Sequence, residues 1–403
     1  MAIEFTFTPQ QELFRRSVRK LLRAEIAPRV VVEKEGHGVF PSEAVRILGA
    51  HGMLGVPIPR EYGGAGLGEV GYCILAEELG RVDSSLATIA GAHTSIGMTP
   101  IWLFGTEEQR RKYLPDLASG RKLAAFALTE PTAGSDAASI KTQAVREGDH
   151  FVVNGRKLWC TNGDRADVIA LTCVTDPALG ARGGVTTFIL EKDTKGFAVG
   201  TIEDKLGIRN SSTAELILED CRIPVQNVLG QVGLGFVVAL TALDGGRAGL
   251  AAGVLGASKE LLDIGIEYAK SRRRKGEPLA NEQSIQWRLA DLAAEIQVAE
   301  YITYHTAALV EEYYHRLATG AHVPETLREQ VSMNAASAKV FGSEMSGRAT
   351  ETTLEILGAS SVLDRNRVEQ AWRDQIISEI YEGTSEVQRL IIAREILRKG
   401  GTQ

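Results

Sequence analysis

The chain reads as an α+β multidomain protein: an N-terminal α-helical domain over 1–124, a small middle β-barrel or sheet domain over 125–235, and a C-terminal four-helix bundle over 236–403. Three observations predict this. Helical periodicity fills the first 124 residues. Short apolar runs broken by turn residues fill the middle. A sustained seam with 3-4-3-4 spacing then appears: Ile285, Leu289, Leu292, Ile296, Ala299 and Thr303.

The elements follow in order. Thr8-Pro9-Gln10-Gln11 reads as a capped helix start, with Pro9 at the first helical position. Leu13, Val18, Leu21 and Leu22 mark one apolar face, and residues 70–79 begin another helix. The Gly/Pro-rich segment 56–64 punctuates them. In the middle part, Phe151-Val-Val-Asn-Gly155 looks like a strand running into an Asn-Gly turn. Residues 167–174, 185–191 and 214–220 read as short strands; Ala214, Leu216 and Leu218 face one way, Glu215 and Glu219 the other. Long helices return at 325–357 and 384–398.

At 403 residues the chain is too long for one ordinary core and suits two or three domains. Apolar residues make up 44% and charged residues 24%, the balance of a globular protein in water. A net charge of −6 argues against nucleic acid as the main partner. Cys73, Cys160, Cys173 and Cys221 lie far apart without a CxxC pair, so ordinary thiols in a reducing compartment are expected. No uninterrupted apolar run reaches the ~18 residues of a membrane span. No signal or transit pattern precedes Thr8, so a bacterial cytoplasmic location is expected. The seven His show no metal spacing, and no metal is expected.

The most informative stretch is Ile380-Tyr-Glu-Gly-Thr-Ser-Glu386. It sets one carboxylate, Glu382, beside apolar and amphipathic residues and in front of Gly383, where backbone can turn sharply and a ligand can approach. Desolvation raises a carboxyl pKa, which suits a general base for a weakly acidic proton. The same stretch also reads as a helix cap, with Thr384 or Ser385 preceding the run 386–394. Two further segments bear on the choice: residues 126–136, Phe-Ala-Leu-Thr-Glu-Pro-Thr-Ala-Gly-Ser-Asp, and residues 157–163, Lys-Leu-Trp-Cys-Thr-Asn-Gly.

Together, in this order and some 250 residues apart, the three segments resemble the signature of the acyl-CoA dehydrogenase family of flavoproteins, over about residues 8–398. The resemblance implies FAD between the β domain and the bundle, and α,β-dehydrogenation of an acyl-CoA thioester to the trans-2-enoyl-CoA. That is a step of fatty-acid β-oxidation, with electrons passed to an electron-transferring flavoprotein by a homotetramer. A hydride needs a cofactor to accept it, since no side chain does. Glu382 matches the catalytic base of the main branch. A second branch carries its base just before a conserved Arg; here Gly246 stands there, before Arg247.

The resemblance also implies the contacts. Phe126, Leu128 and Thr129 would meet the flavin's pyrimidine edge, Trp159 would lie against the ring, and Thr161 would sit near N5. Gly134 and Ser135 would let the loop approach phosphates, Ser135 also touching the CoA arm. Asp244, Arg247 and Gly383 would contact substrate, Asp244 being read alternatively as a helix cap. Arg272, Gln283, Glu355 and Gly358 would reach FAD across a subunit boundary, and Thr384 and Glu386 its adenosine side.

Two departures stand out. Lys275 replaces the usual Phe three residues after Arg272. Glu355-Ile-Leu-Gly-Ala-Ser-Ser361 begins with Glu in place of Gln and keeps only Gly358 of paired glycines. An acyl-CoA oxidase, or a flavin-poor acyl-CoA-binding protein of the same fold, are the alternative readings. Gly66-x-Gly68-x-x-Gly71 formally matches a dinucleotide loop, but Pro57 and Pro59 spoil the strand it would need. Glu312 and His315 match a di-iron helix motif whose required second helical copy is missing. The acyl group itself is not legible, although residues 84–100 contain no Arg or Lys to hold a distal carboxylate.

Overall fold

The computed structural model describes residues 6–30, 38–363 and 367–398. Six helices come first: α1 (Pro9–Leu21), α2 (Ser42–Ala50), α3 (Gly68–Gly80), α4 (Ser84–Gly91), α5 (Thr99–Phe104) and α6 (Glu107–Ala118). Thr8 and Gln11 form the expected capping box on α1, with Pro9 in its first turn. Thr106 and Gln109 form a second box on α6. Between α4 and α5 the chain winds into a π-helical turn over Ala92–Met98. Such turns bulge the helix and re-aim its side chains.

Eight strands follow: β1 (Ala124–Ala127), β2 (Gln143–Glu147), β3 (His150–Thr161), β4 (Val168–Val174), β5 (Val185–Glu191), β6 (Phe197–Ile202), β7 (Thr213–Pro224) and β8 (Val228–Leu229). They form one mixed sheet in the order β6-β7-β3-β2-β4-β5-β8. β1 joins the edge of β4 in parallel, Phe126 opposite Ala170. The sheet coils so that Phe151 of β3 and Phe188 of β5 meet edge to face, 5.0 Å apart, inside a core with Val153, Leu171, Leu216 and Leu218. Its other side packs on α5 and α6 through Ile101, Leu114, Phe126, Leu128 and Ile189.

The expected Asn-Gly turn is corrected: β3 runs straight through Asn154 and Gly155, with a register shift between Val153 and Gly155 against β7. Thr142 lies so close to Gly155 that a side chain there has no room. That is a bulge signature. The reversal itself is made at Gly148, φ +62°.

Among the described residues, five longer helices follow: α7 (Gly235–Ser271), α8 (Gln283–Ala318), α9 (Glu325–Leu357), α10 (Arg367–Gln375) and α11 (Ser385–Arg398). The predicted seam holds, with Leu292, Ile296, Ala299 and Thr303 of α8 buried. The bundle core continues into the N-terminal helices through Val18, Leu22, Leu48, Leu75, Leu255, Tyr304 and Met345. Buried Glu77 ties the pieces together by pairing with Arg15 of α1 (3.2 Å) and Lys259 of α7 (2.8 Å) and accepting from Tyr304 of α8. Helix α7 is the one described helix long and apolar enough to cross a membrane, but 67% of its most apolar window is buried inside the protein. That is the burial of a bundle's central helix.

One buried imidazole joins the domains. His93 Nδ1 accepts from the Ala124 N–H at 2.9 Å, and Nε2 pairs with Leu117 O at 3.1 Å. Burial lowers its pKa to about 4, against a smaller upward pull from the Leu117 bond. The folded value lies below the unfolded one of about 6.5, so the unfolded chain takes the extra proton. Its stability contribution is intact above pH ~6.5 and drains away towards pH 4, by up to about 3 kcal/mol. In His93→Gln, urea midpoints measured from pH 7 to 4 should fall less steeply than in the parent; parallel curves would rule this out.

Candidate active site

Glu382 sits in the five-residue link between a 3-10 turn over Ile376–Glu379 and α11. Its φ is +57°, rare for a residue with a side chain, and Gly383 follows at +93°. Left-handed backbone at a non-glycine costs about 1–2 kcal/mol and persists where surroundings over-determine it. The surroundings here are two donors on the carbonyls. Arg247 Nε donates to Glu382 O at 3.2 Å, and Gln388 Nε2 donates to Glu382 O and Gly383 O at 3.1 and 3.0 Å. Thr384 Oγ1 accepts from the Val387 N–H at 3.3 Å and caps α11. The capping reading and the base reading therefore describe the same turn.

The carboxyl tip lies against α7. A Cβ at Gly246 would fall 2.5 Å from Glu382 Oε2 and 2.8 Å from Ile96. Oε2 is buried and has no hydrogen-bond partner. Burial raises the Glu382 pKa to about 7, while the charges of Arg247 and Lys339 pull it down. The result is a carboxyl poised near neutrality, as a general base needs.

Arg247 and Asp244 pair at 2.8 Å. The capping role read for Asp244 is corrected: it lies in the third turn of α7, whose cap position is Leu234. There burial raises its pKa to about 6 against the Arg247 charge.

Lys339 was not singled out in the sequence. It is fully buried on α9, and its Nζ has no partner. Burial lowers its pKa to about 8, the Glu382 charge opposing. Its signal was a lone lysine in the buried register Val331, Ala335, Ala338, Gly342 of an otherwise small apolar stripe.

The second motif pair forms a flat platform at the sheet. Lys157 is fully buried and donates to Leu128 O at 3.0 Å and Glu130 Oε1 at 2.6 Å. Leu158 N–H donates to Thr129 O at 2.8 Å, and Cys160 Sγ lies 3.3 Å from Phe126 O. Residues 126–129 are thus stitched along 157–160. Glu130 also accepts from the N–H groups of Lys141 and Thr142, at 2.6 and 3.0 Å, closing the loop that exposes Gly134 and Ser135. Burial pushes the Glu130 pKa up, and Lys157 with these donors more than reverses it. Removing one partner of such a buried pair costs about 3–5 kcal/mol.

A register shift between Lys157 and Cys160 then throws Trp159 outward, with φ +56° and 60% of its surface exposed. Bulges re-aim side chains in this way. An exposed indole with half-buried Thr161 two residues on and half-buried Thr129 bonded to Leu158 beside it fits a flat heteroaromatic group. The Ala92–Met98 turn links platform and base, with Gly97 against Ala124 of β1 and Ile96 against Gly246.

The remaining residues lie elsewhere. Arg272 ends α7, Gln283 opens α8, and Glu355 and Gly358 close α9, all exposed at one end of the bundle. At 1.5 Å per residue, Arg272 is about 38 Å along α7 from Arg247. Glu355 is engaged by Arg288 there. Lys275 belongs to a tight exposed turn with φ +50°, not to the helix end. Glu386 is exposed just after the base.

A desolvated carboxyl on one element and an exposed indole on another make a candidate site with the chemistry of a base beside a planar group. Family models agree: the N-terminal domain of acyl-CoA dehydrogenases matches residues 8–121, the middle domain 125–221 and the C-terminal domain 233–397. The chain belongs to the acyl-CoA dehydrogenase family, whose enzymes are oxidoreductases. It is 40% identical to a short-chain specific acyl-CoA dehydrogenase of Clostridium acetobutylicum, over 98% of this chain and 100% of that one. The structure of butyryl-CoA dehydrogenase from Megasphaera elsdenii is similar at a TM-score of 0.90 and 37% identity, covering 98% of this chain and 100% of that one. An acyl-CoA dehydrogenase of Bacillus anthracis complexed with FAD matches at 0.87 and 36%, over 99% of this chain and 69% of that one.

Gly246→Ala should test the packing around Oε2. The added methyl forces the carboxyl aside, and a displacement of about 1 Å costs on the order of 10²-fold in turnover of an acyl-CoA. Thermal unfolding should move little. Full activity would show that the carboxyl does not work from this position.

Proposed function

We propose that the protein is an FAD-dependent acyl-CoA dehydrogenase in which Glu382 removes the α-proton of an acyl-CoA thioester. The single observation that carries this is the unpaired, buried Oε2 of Glu382 over Gly246. A carboxyl oxygen so placed has no hydrogen-bond partner of its own, which leaves it open to a proton from a ligand. Phe126, Leu128, Thr129, Trp159 and Thr161 hold the isoalloxazine, and Gly134 and Ser135 face its phosphates. FAD supplies the hydride acceptor. Arg247 and Gln388 keep the Glu382 backbone left-handed, so its side chain meets the α-carbon while its N–H points at the thioester oxygen, where enolate charge collects. Asp244, Arg247, Ser135 and Gly383 border the CoA arm.

Arg272, Gln283, Glu355 and Gly358 are assigned to FAD bound across a subunit boundary, and Thr384 and Glu386, just after the base, to its adenosine side. The distance along α7 supports this, because base and bundle end cannot both serve one short ligand within one chain. The protein is therefore read as a homo-oligomer, and it is assigned as a tetramer in a bacterial cytoplasm. Its electrons leave to an electron-transferring flavoprotein. A short acyl chain suits the site, because the Tyr72 ring fills the space beside Gly249 and Gly91.

Glu382→Gln should retain FAD and lose about 10²–10⁴-fold in rate; turnover equal to the parent's refutes the base assignment. The free enzyme's kcat/KM should rise with pH through about 7, since only the carboxylate accepts the proton. Lys339→Met removes a charge that favours that carboxylate, so the rise should move to higher pH. A profile unmoved by the substitution would mean that the lysine does not act on the base.

A further inference from the structure

A second buried carboxyl stands beside the first with no assigned task. Glu69 opens α3, is 3% exposed, and its Oε1 has no hydrogen-bond partner. Its position follows from its neighbours. Glu69 and Tyr72 lie three residues apart, on one face of α3. Tyr72 packs on α7, where a Cβ at Gly249 would fall 2.4 Å from its ring and hydroxyl. One turn back on α7, the Gly245 N–H donates to Tyr314 Oη at 3.0 Å, and Gly246 abuts Glu382. The charge of Glu69 is felt by both Tyr72 and Tyr314, and that of Glu382 by Glu69. Glu69 therefore sits among Tyr72, Tyr314 and the base, on the glycine-lined side of α7. Glu311 does not satisfy it. That carboxylate is turned to the start of α3, accepting from the Val70 N–H at 3.0 Å and lying over Gly68.

We propose that Glu69 is the hydrogen-bonding end of the acyl slot, and that the enzyme takes short acyl-CoA thioesters whose tail carries an uncharged oxygen, such as an ω-hydroxyl. This rests on the dehydrogenase reading above. Burial, then the nearby carboxylates Glu311 and Glu382, raise the Glu69 pKa well above normal, which favours its neutral acid form. A neutral acid in a desolvated site donates one hydrogen bond and accepts another, which matches a hydroxyl. A purely aliphatic tail leaves its oxygen orphaned, which is costly. A tail carboxylate meets two further carboxyls, so a dicarboxylic acyl group is disfavoured.

The test compares butyryl-CoA and pentanoyl-CoA with their ω-hydroxy counterparts. Binding is measured by calorimetry on FAD-loaded Glu382→Gln protein, and kcat/KM on the parent enzyme. At least one ω-hydroxy thioester should bind and turn over about tenfold better than its aliphatic parent. Glu69→Leu should reverse that ratio, while Glu69→Gln, which can still donate, should keep most of it. Aliphatic turnover with no hydroxyl preference in the parent enzyme overturns the proposal and leaves the dehydrogenase reading standing, whether or not Glu69→Leu folds. No turnover or flavin bleaching with any of the four thioesters overturns both.

Discussion

The arrangement depends on one desolvated contact: a carboxylate oxygen pressed on α7 at Gly246, where the helix offers no side chain. Water that would hydrate Glu382 is displaced by Gly246 and Ile96. Removing hydration destabilises the anion more than the acid, and the site counters only partly, with Arg247 and Lys339. Both cations are themselves deeply buried. The carboxyl tip is thus left without a direct hydrogen-bond partner, while the hydrogen bonds that hold this turn go to its backbone instead.

That division of labour recurs at the sheet. Trp159 makes its face available because the residues around it are fully engaged. Lys157 and Cys160 bond backwards to β1 and the segment after it, and the bulge between them leaves only the indole free. Lys157 and Glu130 form a deeply buried ion pair whose value is positional: it fixes where residues 128–130 lie relative to 157–159. Buried polar networks of this kind specify one arrangement when every member is satisfied.

Much of this was legible in the chain. Thr8, Pro9 and Gln11 announced their helix because capping is local chemistry within four residues. The α8 seam announced itself by period. The three motif segments pointed to the site because they occur together. What escaped is long-range or context-dependent. Asn154-Gly155 has the chemistry of a hairpin turn, but β7 continues alongside and converts it into a bulge. Asp244 also reads as a cap at a helix start, yet Gly245 and Gly246 after it serve close approach to Tyr314 and Glu382 inside a continuous helix. Lys339 and Glu69 carry ordinary surface residue types, and only the packing of three or four separate helices takes them out of water.

Helix α7 spans 37 residues, roughly 55 Å, without interruption. Its beginning carries Asp244 and Arg247, and its last turn leads into Arg272. A rod of this kind transmits phase as well as distance: one residue inserted between the two stations would advance the far one by 1.5 Å and swing it through about 100°. The number of residues from 247 to 272 therefore sets where, and at what angle, one station stands relative to the other.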